Sequence, residues 1–409
     1  MSDSSSIKII ATADNHLSPV LPRMSALRAQ RRRKYLRDAF ARIVSAAITD
    51  RCDMFIQAGD LFDDQSPSNE DRAFAAEQFH RLRRADIPVF TVSGNHDMPR
   101  QSTEHGYLAP LEVYQQAGLI HHFAATTLVQ PVLTETNKGS VAVGGLSYHS
   151  ALRYIRDPLA AAAWEDPNDL LGKARFRILV VHAEIESAFT TEESAQVIRK
   201  TSIEALPNIN VLVTGHIHRF RCEKIGGVTC VVTGPSERID AGDIPAEAGY
   251  AIIHIDGSCA VTAEHIHMEP QPQYSVELPA AELWEHNADD PAQAVIDRLE
   301  KFCGAETMLK ARIYGYITPE QYRALNTQKI IRWGSARCFT FQLQLDALRI
   351  AHEKAHMPRT LGRAERTEPI RVIEQLFEDR IAKTGADARE REIWEAARDD
   401  IIKRMRSSS

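Results

Sequence analysis

The chain has 409 residues, 44% of them hydrophobic and 25% charged, the composition of a soluble globular protein with length for two or three domains and a large core. A formal net charge of −6 argues against a generally basic protein that coats nucleic acid, so any contact with DNA must come from a local patch. Cys52, Cys222, Cys230, Cys259, Cys303 and Cys338 are scattered without a Cys-x-x-Cys pair, the first residues are polar, and no stretch approaches the ~20 apolar residues of a bilayer span. These features predict a cytoplasmic protein with unpaired thiols, and they exclude a disulfide framework, a structural zinc site of paired cysteines and a membrane helix.

In chain order, Lys8-Ile9-Ile10-Ala11-Thr12-Ala13 reads as a strand that stops at Asp14-Asn15-His16. A helix follows over about residues 24 to 49, with Leu36, Phe40, Ile43, Val44 and Ala47 on its buried face. Its first half carries Arg23, Arg28, Arg31, Arg32, Arg33, Lys34 and Arg37 against Asp38 alone. Such a run is ordinarily a solvated face; its position beside the first strand end offers phosphate binding as a second reading.

The strand Asp53-Met54-Phe55-Ile56-Gln57-Ala58 ends in Gly59-Asp60-Leu61-Phe62-Asp63, and a helix bearing Phe74, Phe79 and Leu82 comes next. Ile87-Pro88-Val89-Phe90-Thr91-Val92 ends in Ser93-Gly94-Asn95-His96-Asp97, with a further helix expected at about 107 to 116. From 128 to 148 the pattern becomes strand-rich. Arg177-Ile178-Leu179-Val180-Val181 then ends in His182, Asn210-Val211-Leu212-Val213-Thr214 ends in Gly215-His216-Ile217-His218, and later strands are expected at 228–233, 250–255 and 260–267. The alternation predicts an α/β fold over the first ~270 residues: two mixed sheets face to face with helices outside, a four-layer αββα sandwich.

Five strands thus end in Asp, Asn or His. A strand end is rigid and opens on the crevice at the sheet edge, so these side chains are held still and can converge. One histidine alone is ordinarily a surface or core residue, but five repeats of one arrangement make chance a poor account. Asp14, Asp60, Asn95, His16, His182, His216 and His218 form an oxygen and nitrogen donor set without thiolate, suited to Mn²⁺, Fe²⁺ or Zn²⁺. Seven ligands are too many for one ion, whereas two ions sharing a carboxylate generate hydroxide near neutral pH and clamp the oxygens of a phosphorus centre. This predicts phosphoester hydrolysis and leaves open a nucleic acid, a nucleotide, a phosphoprotein or a small metabolite as substrate.

Asp14-x-His16, Gly59-Asp60-Leu61-Phe62-Asp63, Gly94-Asn95-His96-Asp97, His182 and Gly215-His216-Ile217-His218 resemble, in order and spacing, the five motifs of calcineurin-like metallophosphoesterases. The Gly-Asp-Leu-Phe-Asp form, and a chain continuing well past the last motif, resemble the SbcD-like DNA repair nucleases within that superfamily. The resemblance implies that Asp14, His16, Asp60 and His218 hold one metal and that Asp60, Asn95, His182 and His216 hold the other, with Asp60 bridging and manganese as the metal. It implies that His96 stabilises the five-coordinate phosphate or protonates the leaving oxygen, with Asp97 orienting His96.

Other polar residues carry blander expectations. Arg100, Arg219 and Arg221 read equally as surface charge or as phosphate contacts, His121 and His122 as surface residues, and Ser236-Glu237-Arg238 as candidates to line the cleft. His254, His265 and His267 are assigned no metal, although His265 and His267 share one strand face.

After Pro270-Gln271-Pro272-Gln273 the pattern changes, which sets the expected domains: 1–270 the metallophosphoesterase (nuclease) domain, 271–350 a small α+β cap, 351–369 a linker and 370–409 a helical segment. In the cap, helices are expected at 291–302 and 319–325 and strands at 308–317 and 338–345. Ile370, Ile373, Leu376, Phe377 and Ile381 mark one amphipathic helix, and Ile393, Trp394, Ala397, Ile401 and Met405 a second. So short a hairpin cannot bury both stripes alone and should dock on its own body, on a second copy in a homodimer, or on another protein. The SbcD-like resemblance implies that the cap helps select DNA and that the helices bind an SbcC-like, SMC-type ATPase.

The reading is a manganese-dependent DNA nuclease, exonuclease or endonuclease, acting in DNA end processing or repair. A phosphomonoesterase or cyclic-nucleotide phosphodiesterase with the same metals is one alternative, and a non-catalytic DNA-end-binding scaffold another.

Overall fold

A computed structural model of the chain describes residues 6–22, 24–98, 109–148, 157–187, 196–239 and 247–351, with positions 377, 381, 394, 395, 397 and 398. The chain separates into two compact units, residues 1–349 and 350–409. In the first unit, β1 (Ile7–Thr12), β2 (Met54–Ala58), β3 (Val89–Val92) and β4 (His121–Phe123) lie parallel and side by side. A second sheet is built from β5 (Val132–Thr136), β6 (Gly139–Leu146), β7 (Phe176–Val181), β8 (Val211–Thr214), β9 (Arg221–Ile225) and β10 (Val228–Val232), in the order β9-β10-β8-β7-β6-β5. Then β11 (Gly249–Ile255) and β12 (Val261–His267) return to the first sheet, β11 running antiparallel to β1.

Strand alternation explains the layers. Ile7, Ile9 and Ala11 of β1 and Met54, Ile56 and Ala58 of β2 meet Phe176, Ile178 and Val180 of β7 and Val211 and Val213 of β8 in one core between the sheets. The intervening residues point outward: Ile10 and Phe55 pack under α1 (Ala26–Thr49) and α2 (Asn69–Arg84), while Leu179 and Leu212 pack with Leu159 and Ile203 of short helices on the other side. Both faces of these strands are covered, which is why they read as unbroken apolar runs. The expected four-layer sandwich is therefore the observed architecture. The N-termini of α1 and α2 are capped by Ser25 and Ser68, which accept from the backbone N–H of Arg28 and Asp71.

A third sheet follows, with β13 (Gln273–Pro279), β14 (Met308–Ile317) and β15 (Thr340–Gln344) parallel to one another and Leu348–Ile350 beside β14. Helices Ala280–His286, Pro291–Leu299, Pro319–Ala324 and Thr327–Arg337 accompany it around an apolar cluster that includes Leu283, Val295, Ile313 and Ile330. β13 and the helices Ala280–His286 and Thr327–Arg337 escape the sequence pattern because each buries few residues; in Thr327–Arg337 only Ile330 and Gly334 are buried.

Three expectations are corrected here. Cys303 and Cys338 are joined as a disulfide within the third module, while Cys52, Cys222, Cys230 and Cys259 are free thiols; the partners lie 35 residues apart, so no local spacing announced them. His122 is buried, its Nδ1 2.9 Å from Thr91 Oγ1 in the neighbouring strand. The basic half of α1 is largely occupied by protein. Arg28 donates to Ser335 O, Arg31 pairs with Glu306 and lies over the Phe339 ring, and Arg37 pairs with Glu70. Arg32 is buried and donates to Gln271 Oε1 at 2.9 Å and to Arg238 O, with Glu237 Oε1 at 3.5 Å. Glu237 and the Arg238 carbonyl thus tie α1 to the entry of the third module.

Arg23, Arg100 and residues 107–108 fall outside the described residues, and the expected helix there is seen as Glu112–Gln116. The linker and helical pair expected over 351–409 also fall outside them, except at 351 and the six positions named above. Phe377 and Trp394, one from each expected stripe, approach with ring centroids 6.2 Å apart.

Candidate metal centre

The parallel order of β1, β2 and β3 brings three of the polar strand ends together along one sheet edge, and the pairing of β7 with β8 does the same for His182 and Gly215-His216. Beyond β1 and β2 the chain turns through left-handed backbone at Asp14, His16 and Asp60, with φ of 49°, 44° and 52°. Asp and His tolerate this region better than most residues, and such strain clusters at functional sites. The two loops are stitched by Asp14 N–H to Gly59 O, Asn15 and His16 N–H to Asp60 O, and Leu17 N–H to Leu61 O. Buried Gln57 reinforces them by donating to Asn15 Oδ1 and Gly59 O.

The β3 loop presses against this pair. The His96 N–H donates to Asp60 Oδ1 at 2.8 Å. A Cβ at Gly94 would fall 2.1 Å from that same oxygen, so only glycine allows the approach. From the second sheet, the His216 N–H donates to both oxygens of Asp14 at 3.1 and 3.0 Å, and His216 Nδ1 lies 3.1 Å from Asn95 Oδ1.

The side chains converge in overlapping groups. Asp14, His16 and His218 each offer an atom within 4.8 Å of the others, as do Asp14, Asp60 and His182. His16 Nε2 faces His218 Nε2 at 3.3 Å, and His182 Nε2 stands 3.2 Å from Asp60 Oδ2. His96 is half exposed at the mouth, on a polar cavity of about 360 Å³ shared with Asp63, Asp64, Gln65, Asn95 and Met98.

The family model of the calcineurin-like phosphoesterases matches residues 7–220, from the first residue of β1 to just beyond His218. The chain belongs to the calcineurin-like phosphoesterases. A curated relative, the DNA double-strand break repair protein Mre11 of Methanosarcina mazei, is 27% identical over 253 residues, 61% of this chain and 36% of that protein. The protein of the same name from Sulfurisphaera tokodaii is 24% identical over 249 residues, 59% of each chain. The chain therefore spans between 36% and 59% of the length of these relatives.

Metals of this phosphoesterase family would find a compatible donor set here. Asp14 and Asp60 are buried, and among the described residues their ion pairs are with imidazoles alone. Buried carboxylates require compensating positive charge. The His182 Nδ1–H donates to Ala58 O at 2.8 Å, while its Nε2 is buried without a hydrogen-bond partner, aimed at the two carboxylates. A backbone carbonyl holding one ring nitrogen so that the other points inward is the usual support of a metal-binding histidine. Burial opposes ionisation of Asp60, but the attraction of His182 and His16 outweighs it and holds the carboxyl below its ordinary range. The His/Asp clusters are thus compatible with a dinuclear site.

In this phosphoesterase the residue against His96 is Asp63. Asp97, expected to orient His96, instead accepts from the backbone N–H groups of Leu61, Phe62 and Gly94 at 3.2, 2.8 and 3.0 Å. The turn after β3 folds the Asp97 side chain back between the loops, where burial and then Asp60 push its carboxyl up to about 7. Asp63 Oδ1 is 3.0 Å from His16 Nδ1 and 3.2 Å from His96 Nδ1. Burial works against its ionisation, but hydrogen bonds from both imidazoles dominate and hold it down at about 2. The signal for Asp63 was present in the sequence as a second carboxylate three residues after Asp60. Arg221 is paired with Glu223 at 3.0 Å and Arg219 is exposed.

Proposed function

We propose that this phosphoesterase is a two-metal, manganese-dependent nuclease that hydrolyses phosphodiester bonds of DNA in end processing or repair. The observation that carries the proposal is the gathering of carboxylate, amide and imidazole donors from five strand ends, three of the first sheet and two of the second, with His96 at the mouth. Asp14, His16, Asp60 and His218 would hold one ion, and Asp60, Asn95, His182 and His216 the other. When bound, the ions supply Lewis acidity to phosphate oxygens and bring the pKa of water toward neutrality. The Ala58 carbonyl orients His182, and Asp63 orients both His16 and His96. As water attacks phosphorus, His96 would stabilise the five-coordinate phosphate, or give the leaving oxygen its proton as the bond to that oxygen breaks.

The choice of DNA is supported by the similarity to proteins named for DNA double-strand break repair. In this reading residues 271–350 cap the centre and help select DNA, and residues 370–409 bind an SMC-type ATPase. The approach of Phe377 to Trp394 supports a helical pair with a common apolar face. Phe377→Asp should abolish co-purification with such an ATPase while DNA cutting by the isolated chain persists; retained co-purification rejects that partner surface.

The test of the activity compares wild type with His96→Ala on labelled single- and double-stranded DNA in Mn²⁺, with a chromogenic phosphomonoester alongside. Wild type should cut DNA, and His96→Ala should cut about 100-fold more slowly or less, with its metal content intact. Undiminished cutting by His96→Ala overturns the role of His96. Hydrolysis of the monoester without DNA cutting supports a phosphomonoesterase instead, and EDTA-insensitive DNA binding without cutting supports a scaffold.

A further inference from the structure

Away from this centre, Glu247, His265 and His267 each present a donor atom within 4.8 Å of the others. We propose that these three residues form a second, separate site for one divalent transition metal of the zinc, nickel and cobalt class. His265 and His267 are two residues apart on β12, so both project from the same face. The register sets His267 opposite Gly249 and His265 opposite Ala251. Glu247 lies just before β11, and its Oε2 is 3.5 Å from His267 Nδ1. The two imidazoles meet edge to face with centroids 4.6 Å apart.

His265 carries the argument. Both of its ring nitrogens are shielded from solvent and make no hydrogen bond among the described residues, and the ring is stacked on Phe220 with centroids 4.8 Å apart. A buried polar atom without a partner is destabilising by about 1–3 kcal/mol, so an imidazole left this way is expected to have an occupant. Room for the ring is built into the partner strand: a Cβ at Gly249 would fall 2.6 Å from His265 Nε2.

The donor set names the class of ion. Two imidazoles and one carboxylate are the ligands of many three-residue zinc sites, which leave a position for water. Affinity for divalent ions rises from manganese through cobalt to nickel, and imidazole donors suit nickel and zinc. The exposure of Glu247 and His267 gives an ion a path from solvent.

The test is equilibrium dialysis of the full chain against micromolar ZnCl₂ with millimolar Mn²⁺ present, bound zinc being counted by plasma mass spectrometry. Wild type should retain one zinc ion per chain more than His267→Ala, an exposed change that leaves the core intact. Glu247→Gln should weaken that additional ion about tenfold or more, and His265→Ala should abolish it. Equal zinc in wild type and His267→Ala overturns the site, and so does full retention in His265→Ala. The readout is zinc bound, so it stands or falls independently of whether the chain cuts DNA.

Discussion

Asp63 Oδ1 lies 3.2 Å from the Nδ1 of His96, and the same oxygen reaches His16. One carboxylate therefore orients an expected metal ligand and the expected acid together. Loss of such a supporting partner ordinarily lowers metal affinity or activity about 10–100-fold. Asp63→Ala should lower kcat on DNA by that factor and shift the pH–rate profile, because His96 loses the carboxylate that favours its protonated form. An unchanged profile and rate would assign Asp63 a structural part only.

Gly94→Ala places a methyl group against Asp60 Oδ1 and pushes apart the loops that Asp97 holds through Leu61, Phe62 and Gly94. Overpacking of this kind destabilises by about 1–3 kcal/mol. The variant should melt several degrees lower and bind less divalent metal by metal analysis. A wild-type melting temperature with full metal content contradicts the close approach.

Arg32→Met removes a guanidinium that lies 3.5 Å from buried Glu237, whose carboxyl burial raises despite the pull of Arg32. Breaking a buried ion pair from one side is destabilising by about 3–5 kcal/mol. Urea unfolding should report a loss of that order, and adding Glu237→Gln should recover part of it. An additive or neutral outcome means the pair does not anchor the third module.

His122 is buried beside Thr91 and Ser93. Burial, and then His121, push its pKa from 6.5 down to about 4. The unfolded chain takes up this proton first, so folding stability from His122 is complete above pH 6.5 and drains away as pH falls toward 4. At pH 4 the loss amounts to about 3 kcal/mol. His122→Gln should flatten the stability curve by that amount between pH 6.5 and 4 in urea titrations; an unchanged slope refutes the assignment.

The sequence by itself determined the sandwich and the polar strand ends. Strand periodicity is local, and Ile9-Ile10-Ala11 or Leu179-Val180-Val181 must be covered on both faces wherever they pack. The same locality let the strand ends be recognised at Asp14, Asp60, Asn95, His182 and His216 before their neighbours were known. Tertiary structure alone decided which partner each remaining polar group meets. Arg32 finds Gln271 across 239 residues, and with Arg28 and Arg31 it ties α1 to the third module. Asp63, and not Asp97, reached His96, because the turn after β3 turns one carboxylate toward backbone N–H groups. Glu247, His265 and His267 were likewise brought together by the register of β11 with β12 and by the bare backbone of Gly249. A polar side chain takes its role from whatever folds beside it, and that information lies far along the chain from the residue itself.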